Sequence, residues 1–321
     1  MCSVYIRAEY RYNPLGFYYD EEKRILYAHR GVSLPWLEEH LSSKITMHHN
    51  YDKYDRINNL SLVDVARNMT QNNAIDFLSS SGRFTGKENS QLILNLDTGD
   101  GKTYCTIAAI TKLKKKAIII THTDTIRNQW VNSFLKHTDI KEDKMKVIEG
   151  LSAIEDIISG KDNDADIYFV SHATISFCAN RKGWDYVRLL FEKLCVGIKV
   201  YDEAHLCFKN VIRTDMFSNT FITIYLTATL GRSDESENRL YKRCFENAYK
   251  FGIGSADYIA HNKHIIYVPM MYNSGITQME ISRTNTNYGF SFNRYLDILM
   301  NNYAILFIFN DFFNLLFRHD F

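Results

Sequence analysis

The length, composition and charge of the chain limit what it can be. Its 321 residues, of which 45% are hydrophobic and 14% aromatic, can build a packed core and leave room for two domains. The 38 lysines and arginines nearly balance the 37 aspartates and glutamates, so the formal charge of +1 excludes a strongly basic nucleic-acid-binding protein. Any contact with nucleic acid must therefore come from a local site.

The cysteines and the N-terminal sequence indicate a reducing compartment. The six cysteines form no C-x-x-C pair, and the first ten residues lack the apolar core of a secretory signal. The apolar run Tyr303–Phe309 is far shorter than the roughly 20 residues that span a bilayer. We therefore expect unpaired thiols, a soluble cytoplasmic protein and no membrane partner.

The first 60 residues predict a small α+β accessory unit. Residues 3–12 alternate in polarity, Asn13–Gly16 has turn chemistry, and a second strand-like run follows, so the sequence predicts one β-hairpin. Pro35 near the start of a helical pattern predicts a short helix. A longer helical period follows from Leu62 to Leu78 and carries Gln71.

Strands and helices alternate over residues 61–255. Short apolar runs predict buried strands at 92–96, 117–121, 146–148, 166–170, 196–201 and 221–226, with helical patterns at 104–113, 126–137 and 184–194 among those between them. This alternation predicts an α/β domain with a mostly parallel, doubly wound sheet that binds ligands at the carboxyl ends of its strands. Residues 256–321 form a C-terminal extension in this interpretation.

A glycine turn joins the first of these strands to its helix. The backbone N–H groups of such a turn and the positive end of the helix form an anion site. The residues that would cradle phosphate are Thr98, Gly99, Asp100 and Gly101. Lys102 would place its charge on the β- and γ-phosphates, and Thr103 would ligate Mg²⁺. Leu96 stands where the strict motif has its first glycine, and an ordinary helix-capping turn is the alternative.

Two adjacent carboxylates follow the strand that ends at Tyr201. Asp202 would hold Mg²⁺, directly or through water, and Glu203 would orient and deprotonate the attacking water. Taken alone, the pair could also be a helix N-cap followed by a first-turn acid. The Gly-Lys-Thr sequence about a hundred residues earlier favours a nucleotide site that both segments share.

TGDGKT, DEAH and TAT, in this order, resemble motifs I, II and III of superfamily 2 helicases and translocases. IIITHTDTIRNQW resembles the motif Ia region, and DIYFVSHATI resembles the segment before motif II. The likeness covers roughly Leu62–Phe251 and is greatest to branch-migration and repair helicases of bacteriophages and large DNA viruses. It implies a RecA-like P-loop fold, ATP and Mg²⁺ as cofactors, a nucleic-acid partner that is DNA, and, for a viral protein, the host cytoplasm.

The resemblance also implies roles for individual residues. Lys102 and Thr103 would bind phosphate and Mg²⁺, Asp202 would bind Mg²⁺, and Glu203 would serve the hydrolytic water. The residues that would link the nucleotide state to the grip on nucleic acid are His205, Thr227 and Thr229. Those that would contact nucleic-acid phosphates are Thr121, His122, Ser171 and Thr174. Gln71 corresponds to the family's adenine-reading glutamine, without its usual preceding neighbours, and an exposed helix glutamine is the alternative.

Helicases of this superfamily hold ATP between two RecA-like domains, and the second domain supplies arginine fingers. No Q-x-x-G-R-x-x-R segment follows Thr229, and roughly seventy residues past Phe251 are too few for a second RecA-like unit. We therefore expect a truncated or divergent start of that domain or an out-of-frame ending, with an interaction helix as the alternative. We also expect poor hydrolysis unless a separate chain completes the cleft. A nucleotide-binding regulatory module without unwinding activity stays an alternative, and a small GTPase would need an N-K-x-D segment that is absent.

Overall fold

The computed structural model describes most of the first 252 residues and short pieces beyond them. The described residues are 5–8, 11–14, 17–20, 22–41, 55–84, 91–97, 99–161, 164–227, 235–245, 247–252, 282, 285–286, 289–290 and 297–298. The chain divides into two compact units, Met1–Ala260 and His261–Phe321. Thr98, Thr229 and the apolar run 303–309 lie outside the described residues.

The first unit alternates strands and helices for most of its length. Its described strands are β1 (Tyr5–Ala8), β2 (Arg11–Pro14), β3 (Phe17–Asp20), β4 (Ile25–Ala28), β5 (Gln91–Asn95), β6 (Ala117–Thr121), β7 (Met145–Ile148), β8 (Ile167–Ser171), β9 (Ile198–Tyr201), β10 (Ile222–Leu226) and β11 (Tyr249–Gly252). Its described helices are α1 (Leu34–Leu41), α2 (Met69–Phe84), α3 (Lys102–Leu113), α4 (Asp124–His137), α5 (Gly150–Ile158), α6 (His172–Lys182), α7 (Trp184–Leu194), α8 (Phe208–Met216) and α9 (Glu235–Phe245). Within the described ranges, every helix is too short or too polar to span a bilayer. In the second unit, Asn285–Thr286 pairs antiparallel with Gly289–Phe290.

β5 to β11 form one sheet of seven parallel strands, in the order β11-β5-β10-β9-β6-β8-β7. Parallel neighbours need crossover connections, which the helices between the strands supply. β10 pairs with β5 on one side and with β9 on the other. Since strands lie about 4.8 Å apart, the ends of β5 and β9 are only about 10 Å apart. The sheet confirms the predicted α/β, RecA-like fold.

Each strand presents alternate side chains to two packed faces of the sheet. In β6, Ala117 and Ile119 face the layer of α2, α3 and α4, whereas Ile118 and Ile120 face the layer of α5 to α9. All five residues of β6 are buried. Because burial of apolar surface contributes about 25 cal/mol per Å², strands covered on both faces favour the continuous apolar runs seen in the sequence.

The N-terminal segment forms two hairpins, whereas the sequence predicts one. β1 pairs antiparallel with β2, and β3 pairs antiparallel with β4. Asn13 and Pro14 belong to β2, where Pro14 pairs with Tyr5 at the end of the ladder. A proline is tolerated there because the ladder needs no further N–H donor. The predicted turn beginning at Asn13 is therefore wrong.

The helix before the glycine turn begins later than predicted. Periodicity places its start at Leu62, but α2 begins at Met69. The Asn68 side chain accepts a hydrogen bond from the Gln71 backbone N–H at 2.9 Å, which is typical of a capping residue. The stretch before Asn68 instead bonds to α4, where the Val63 N–H donates to the carbonyl at the helix end at 3.0 Å.

The segment after β4 packs against the sheet through buried polar contacts. His29 Nε2 lies 3.0 Å from Asp215 Oδ2, and Lys199 Nζ lies 2.5 Å from Asp215 Oδ1. Arg30 donates to the Thr223 hydroxyl at 2.7 Å. This N-terminal segment therefore contacts β10 and the end of α8, and Asp215 in turn pairs with Lys199 of β9. The boundary of an accessory unit at residue 60 stays a prediction.

Candidate functional site

The glycine turn joins β5 to α3 at the carboxyl edge of the sheet. Gly99 and Gly101 both have φ of +91°, in the left-handed region that glycine adopts without steric cost. Gly101 precedes α3, and no side chain caps the first N–H groups of that helix. Lys102 Nζ donates to the Leu96 carbonyl oxygen at 2.9 Å, which places the ammonium beside the turn. Backbone donors and one positive charge are thus gathered around one turn, an arrangement that suits a phosphate.

Gln71 contacts this turn directly. Its side chain is 2% exposed, and Nε2 donates to the Asp100 carbonyl oxygen at 3.0 Å. Its Oε1 accepts from the Arg67 backbone N–H at 2.9 Å. A Cβ atom on Gly101 would lie 2.4 Å from Gln71 Nε2, so a larger residue at that position would displace this amide. The amide fixes the turn in this structure, and its predicted contact with adenine stays a prediction.

Thr103 and Asp202 line one cavity of about 360 Å³. The remaining lining residues all belong to α4 and are Ile126, Gln129, Trp130, Asn132 and Ser133. The second residue of α3 and the first residue after β9 therefore meet, although they lie far apart in the sequence. A hydroxyl and a carboxylate are oxygen ligands of the kind that Mg²⁺ takes together with water and phosphate oxygens. This donor set fits a magnesium-bound nucleotide.

Asp202 is held by hydrogen bonds on both carboxylate oxygens. Oδ2 accepts from the Trp130 indole N–H at 2.8 Å, and Oδ1 accepts from the Glu203 backbone N–H at 3.0 Å. Burial raises the pKa of the Asp202 carboxyl, while the hydrogen bond from Trp130 lowers it. The Glu203 carboxylate raises the same pKa and the Lys102 ammonium lowers it. The charges of the glycine-turn lysine and of the acidic pair therefore act on one another.

Glu203 lies in a strained backbone conformation beside two of the predicted coupling residues. Its φ is +44°, and a non-glycine residue in the left-handed region costs on the order of 1–2 kcal/mol. His205 Nδ1 lies 3.3 Å from Glu203 Oε2 and 3.2 Å from the Thr227 hydroxyl oxygen. His205 thus joins the acidic pair to the end of β10. Thr229, the third predicted coupling residue, lies outside the described residues.

The residues predicted to contact nucleic acid stand at the carboxyl ends of β6 and β8. Thr121 pairs with Ser171 across these neighbouring strands. Thr121 is fully buried, whereas His122 is exposed. The Ser171 hydroxyl caps α6 by accepting from the Thr174 backbone N–H at 3.1 Å. The four side chains share one edge of the sheet with the cavity, and their contact with nucleic acid stays a prediction.

The sequence gives no role to Trp130, which the structure places against Asp202. Its signal in the sequence is indirect, because a buried indole usually needs a hydrogen-bond acceptor for its N–H. Nothing in the pattern of α4 tells which strand end supplies that acceptor. The polar side chains Gln129, Asn132 and Ser133 are likewise found in the cavity only through the packing of α4.

Comparison with known proteins identifies the family of the chain. The family described as "Type III restriction enzyme, res subunit" matches residues 62–232. A protein named DNA 3'-5' helicase XPB, from Kineococcus radiotolerans, is 27% identical over 150 residues, which are 46% of this chain and 25% of that protein. The aligned part of the chain thus spans about a quarter of the length of this curated relative.

Solved helicase structures are similar at low sequence identity. The UvsW helicase from bacteriophage T4 is 16% identical with a TM-score of 0.46, over 75% of this chain and 83% of that one. The Hef helicase domain from Pyrococcus furiosus is 18% identical with a TM-score of 0.41, over 61% and 40%. The parallel strand order, and not these low scores, identifies the fold. Because the family match extends over more than half of the 321 residues, the chain belongs to the Type III restriction enzyme res subunit family and contains the first RecA-like domain of a superfamily 2 helicase.

Proposed function

We propose that the described domain is the ATP-binding half of a DNA helicase or translocase of the viral branch-migration and repair type. The observation that carries the proposal is the cavity that Thr103 and Asp202 share at the carboxyl edge of the parallel sheet. Ligands of open α/β sheets bind at this edge. Membership of a helicase-type family supports the same function at the level of ATP-dependent action on nucleic acid.

In the proposal, different residues of the site bind phosphate, hold Mg²⁺ and activate water. Lys102 would neutralise charge on the β- and γ-phosphates, and the backbone donors from Gly99 to Gly101 would orient them. Thr103 and Asp202 would hold Mg²⁺, which when bound supplies positive charge to the phosphate oxygens. Glu203 would orient the attacking water and accept its proton.

The contacts of His205 suggest how the nucleotide state reaches the rest of the domain. His205 touches both Glu203 and Thr227, so a shift of the Glu203 carboxylate changes a contact at the end of β10. In the proposal this small polar chain links hydrolysis to the grip on DNA at the ends of β6 and β8. The DNA contacts would be to backbone phosphates and would carry little sequence preference.

Turnover is expected to need more than this domain. Helicases of the superfamily hold ATP between two RecA-like domains, and an arginine finger from the second is worth about 10³–10⁵ in rate in related sites. In our proposal that finger comes from outside the described domain. Nucleotide binding by the described domain is therefore the sharper first test.

Lys102→Ala should weaken binding of ADP with Mg²⁺ by about 10- to 100-fold, because a hydrogen-bonded charge is lost. Isothermal titration calorimetry on the full chain measures this affinity. Lys112→Ala is the matched control, since Lys112 lies on the same helix and pairs with Asp76 on the surface at 2.9 Å. Equal affinity of the Lys102 variant and the parent chain would place the nucleotide elsewhere.

Single-stranded DNA should bind with a different affinity in the presence of a slowly hydrolysed ATP analogue, since coupling between two sites is reciprocal. Fluorescence anisotropy of a labelled oligonucleotide measures it, with an RNA of the same sequence in parallel. Glu203→Gln should keep nucleotide binding and abolish any DNA-stimulated hydrolysis. If the nucleotide binds but neither nucleic acid responds, the chain is a nucleotide-binding regulatory module.

A further inference from the structure

Trp130 is only 1% exposed, and its indole N–H donates to the side chain of Asp202 and not to a backbone carbonyl. Nε1 lies 2.8 Å from Asp202 Oδ2, across 72 positions of sequence. Packing alone does not explain the choice of tryptophan. The indole ring lies 6.3 Å from the Phe134 ring between centroids, in an apolar layer where a phenylalanine ring would also be buried. The N–H group is what tryptophan adds at this position.

The two hydrogen bonds on Asp202 fix the plane of its carboxylate. The backbone N–H of Glu203 binds Oδ1 and the indole of Trp130 binds Oδ2, so neither oxygen can turn without losing a donor. The same carboxylate lines the cavity that also contains Thr103. The lone pairs that remain are therefore presented to that cavity in one orientation.

We propose that Trp130 is a positioning residue for Mg²⁺, acting through Asp202. This inference rests on the proposed function, in which Asp202 is a magnesium ligand. Groups that orient a metal ligand through a hydrogen bond typically change metal affinity by about 10- to 100-fold when they are removed. Trp130 lies on α4, whose first residues follow the end of β6, so the inference also makes α4 part of the nucleotide site.

Trp130→Phe keeps an aromatic ring in the apolar layer and removes the N–H donor. Calorimetric titration of the full chain with ADP, once with excess Mg²⁺ and once with excess EDTA, separates metal-dependent from metal-independent binding. We expect the variant to lose about 10- to 100-fold of affinity with Mg²⁺ and to change little in EDTA. Trp184→Phe is the matched control, because Trp184 stacks on Phe217 at 5.1 Å and lies outside the cavity.

Asp202→Asn distinguishes failure of this inference from failure of the proposed function. If Asp202→Asn lowers the affinity for ADP with Mg²⁺ and Trp130→Phe does not, the positioning role is wrong and the magnesium site stands. If Asp202→Asn also leaves that affinity unchanged, the magnesium site itself is wrong. With both roles present, adding Trp130→Phe to Asp202→Asn should produce no further loss of metal-dependent affinity.

A second measurement does not depend on the folding of the Phe variant. The chain has three tryptophans, so its indole N–H groups give few and separable NMR resonances. Addition of Mg²⁺ with ADP to the parent chain should shift the Trp130 indole resonance, and Asp202→Asn should remove that response. If calorimetry shows that ADP binds with Mg²⁺, an unchanged Trp130 indole resonance would overturn the inference and leave the proposed function standing.

Discussion

At the scale of single residues, His172 is a buried polar group that the site chemistry does not use. The side chain is 2% exposed, its ring stacks on Tyr201 at 5.7 Å, and neither ring nitrogen has a hydrogen-bond partner in the described part of the chain. Burial lowers the pKa of His172 to about 4; His122 also lowers it, while Asp215 raises it. The folded protein therefore holds this imidazole neutral at a pH where the unfolded chain would protonate it.

His172→Phe should make the protein less sensitive to acid. Between pH 6.5 and about 4 the unfolded chain gains a proton at His172 that the folded chain does not, so stability is lost as the pH falls. A shift of this size corresponds to roughly 3 kcal/mol, and the phenylalanine variant lacks that contribution. Urea unfolding at a series of pH values measures it. An identical slope of unfolding free energy against pH in both proteins would contradict the prediction.

Single residues of the site differ in how far the sequence could identify them. Lys102 and Thr103, like Asp202 and Glu203, are adjacent in the chain, because the proposed phosphate and metal chemistry needs each pair at the end of a strand. The role of Trp130 depends on a contact between two elements that are remote in sequence. The local sequence pattern around Trp130 does not predict such a contact.

At the scale of elements, the sequence predicts the strands and the strongly periodic helices, but it does not predict a helix that begins directly at the end of a strand. α7 spans Trp184–Leu194 as predicted, because its apolar period is strong and Gly183 precedes it. The sequence pattern does not predict α6, since Ser171 is both the last residue of β8 and the N-cap of the helix. With no turn residue between strand and helix, the change of period has no local signal.

Gly101→Ala should harm the glycine turn more than Gly99→Ala. Both glycines have φ of +91°, but a Cβ on Gly99 meets nothing within 4 Å, whereas one on Gly101 meets Gln71 Nε2. Both substitutions therefore strain the backbone, and Gly101→Ala also removes the hydrogen bond that Gln71 donates to the turn. A bond of this kind contributes about 0.5–1.5 kcal/mol, so affinity for ADP should be up to about tenfold lower in Gly101→Ala than in Gly99→Ala. Equal affinities in calorimetry would show that Gln71 does not support the turn.

At the scale of the whole molecule, the N-terminal segment is fitted closely to the RecA-like domain. A Cβ atom on Gly31 would lie 1.7 Å from the Cys244 carbonyl oxygen and 2.4 Å from Gln91 Oε1. Since one of these contacts is backbone, a side chain at this position cannot be accommodated by a simple rotamer change. The backbone of Gly31 therefore packs directly against the end of α9.

Gly31→Ala should loosen this segment from the sheet. We expect a loss of about 1–3 kcal/mol in unfolding free energy, as for other overpacked sites, and faster hydrogen exchange in β3 and β4. Gly160→Ala is the control, because it has open space around it and a positive φ, so it adds backbone strain without a clash. If exchange in β3 and β4 is the same in both variants, the segment does not depend on this close contact.

The position of β10 has a consequence for synthesis of the protein on the ribosome. Ile222–Leu226 is translated after both β5 and β9, yet it lies between them. A nascent chain that ends before this strand holds the glycine turn and the acidic pair without the strand that lies between β5 and β9. In the proposed function, the complete nucleotide site would therefore form only after β10 has left the exit tunnel, so ATP would not assist the earlier, co-translational steps of folding.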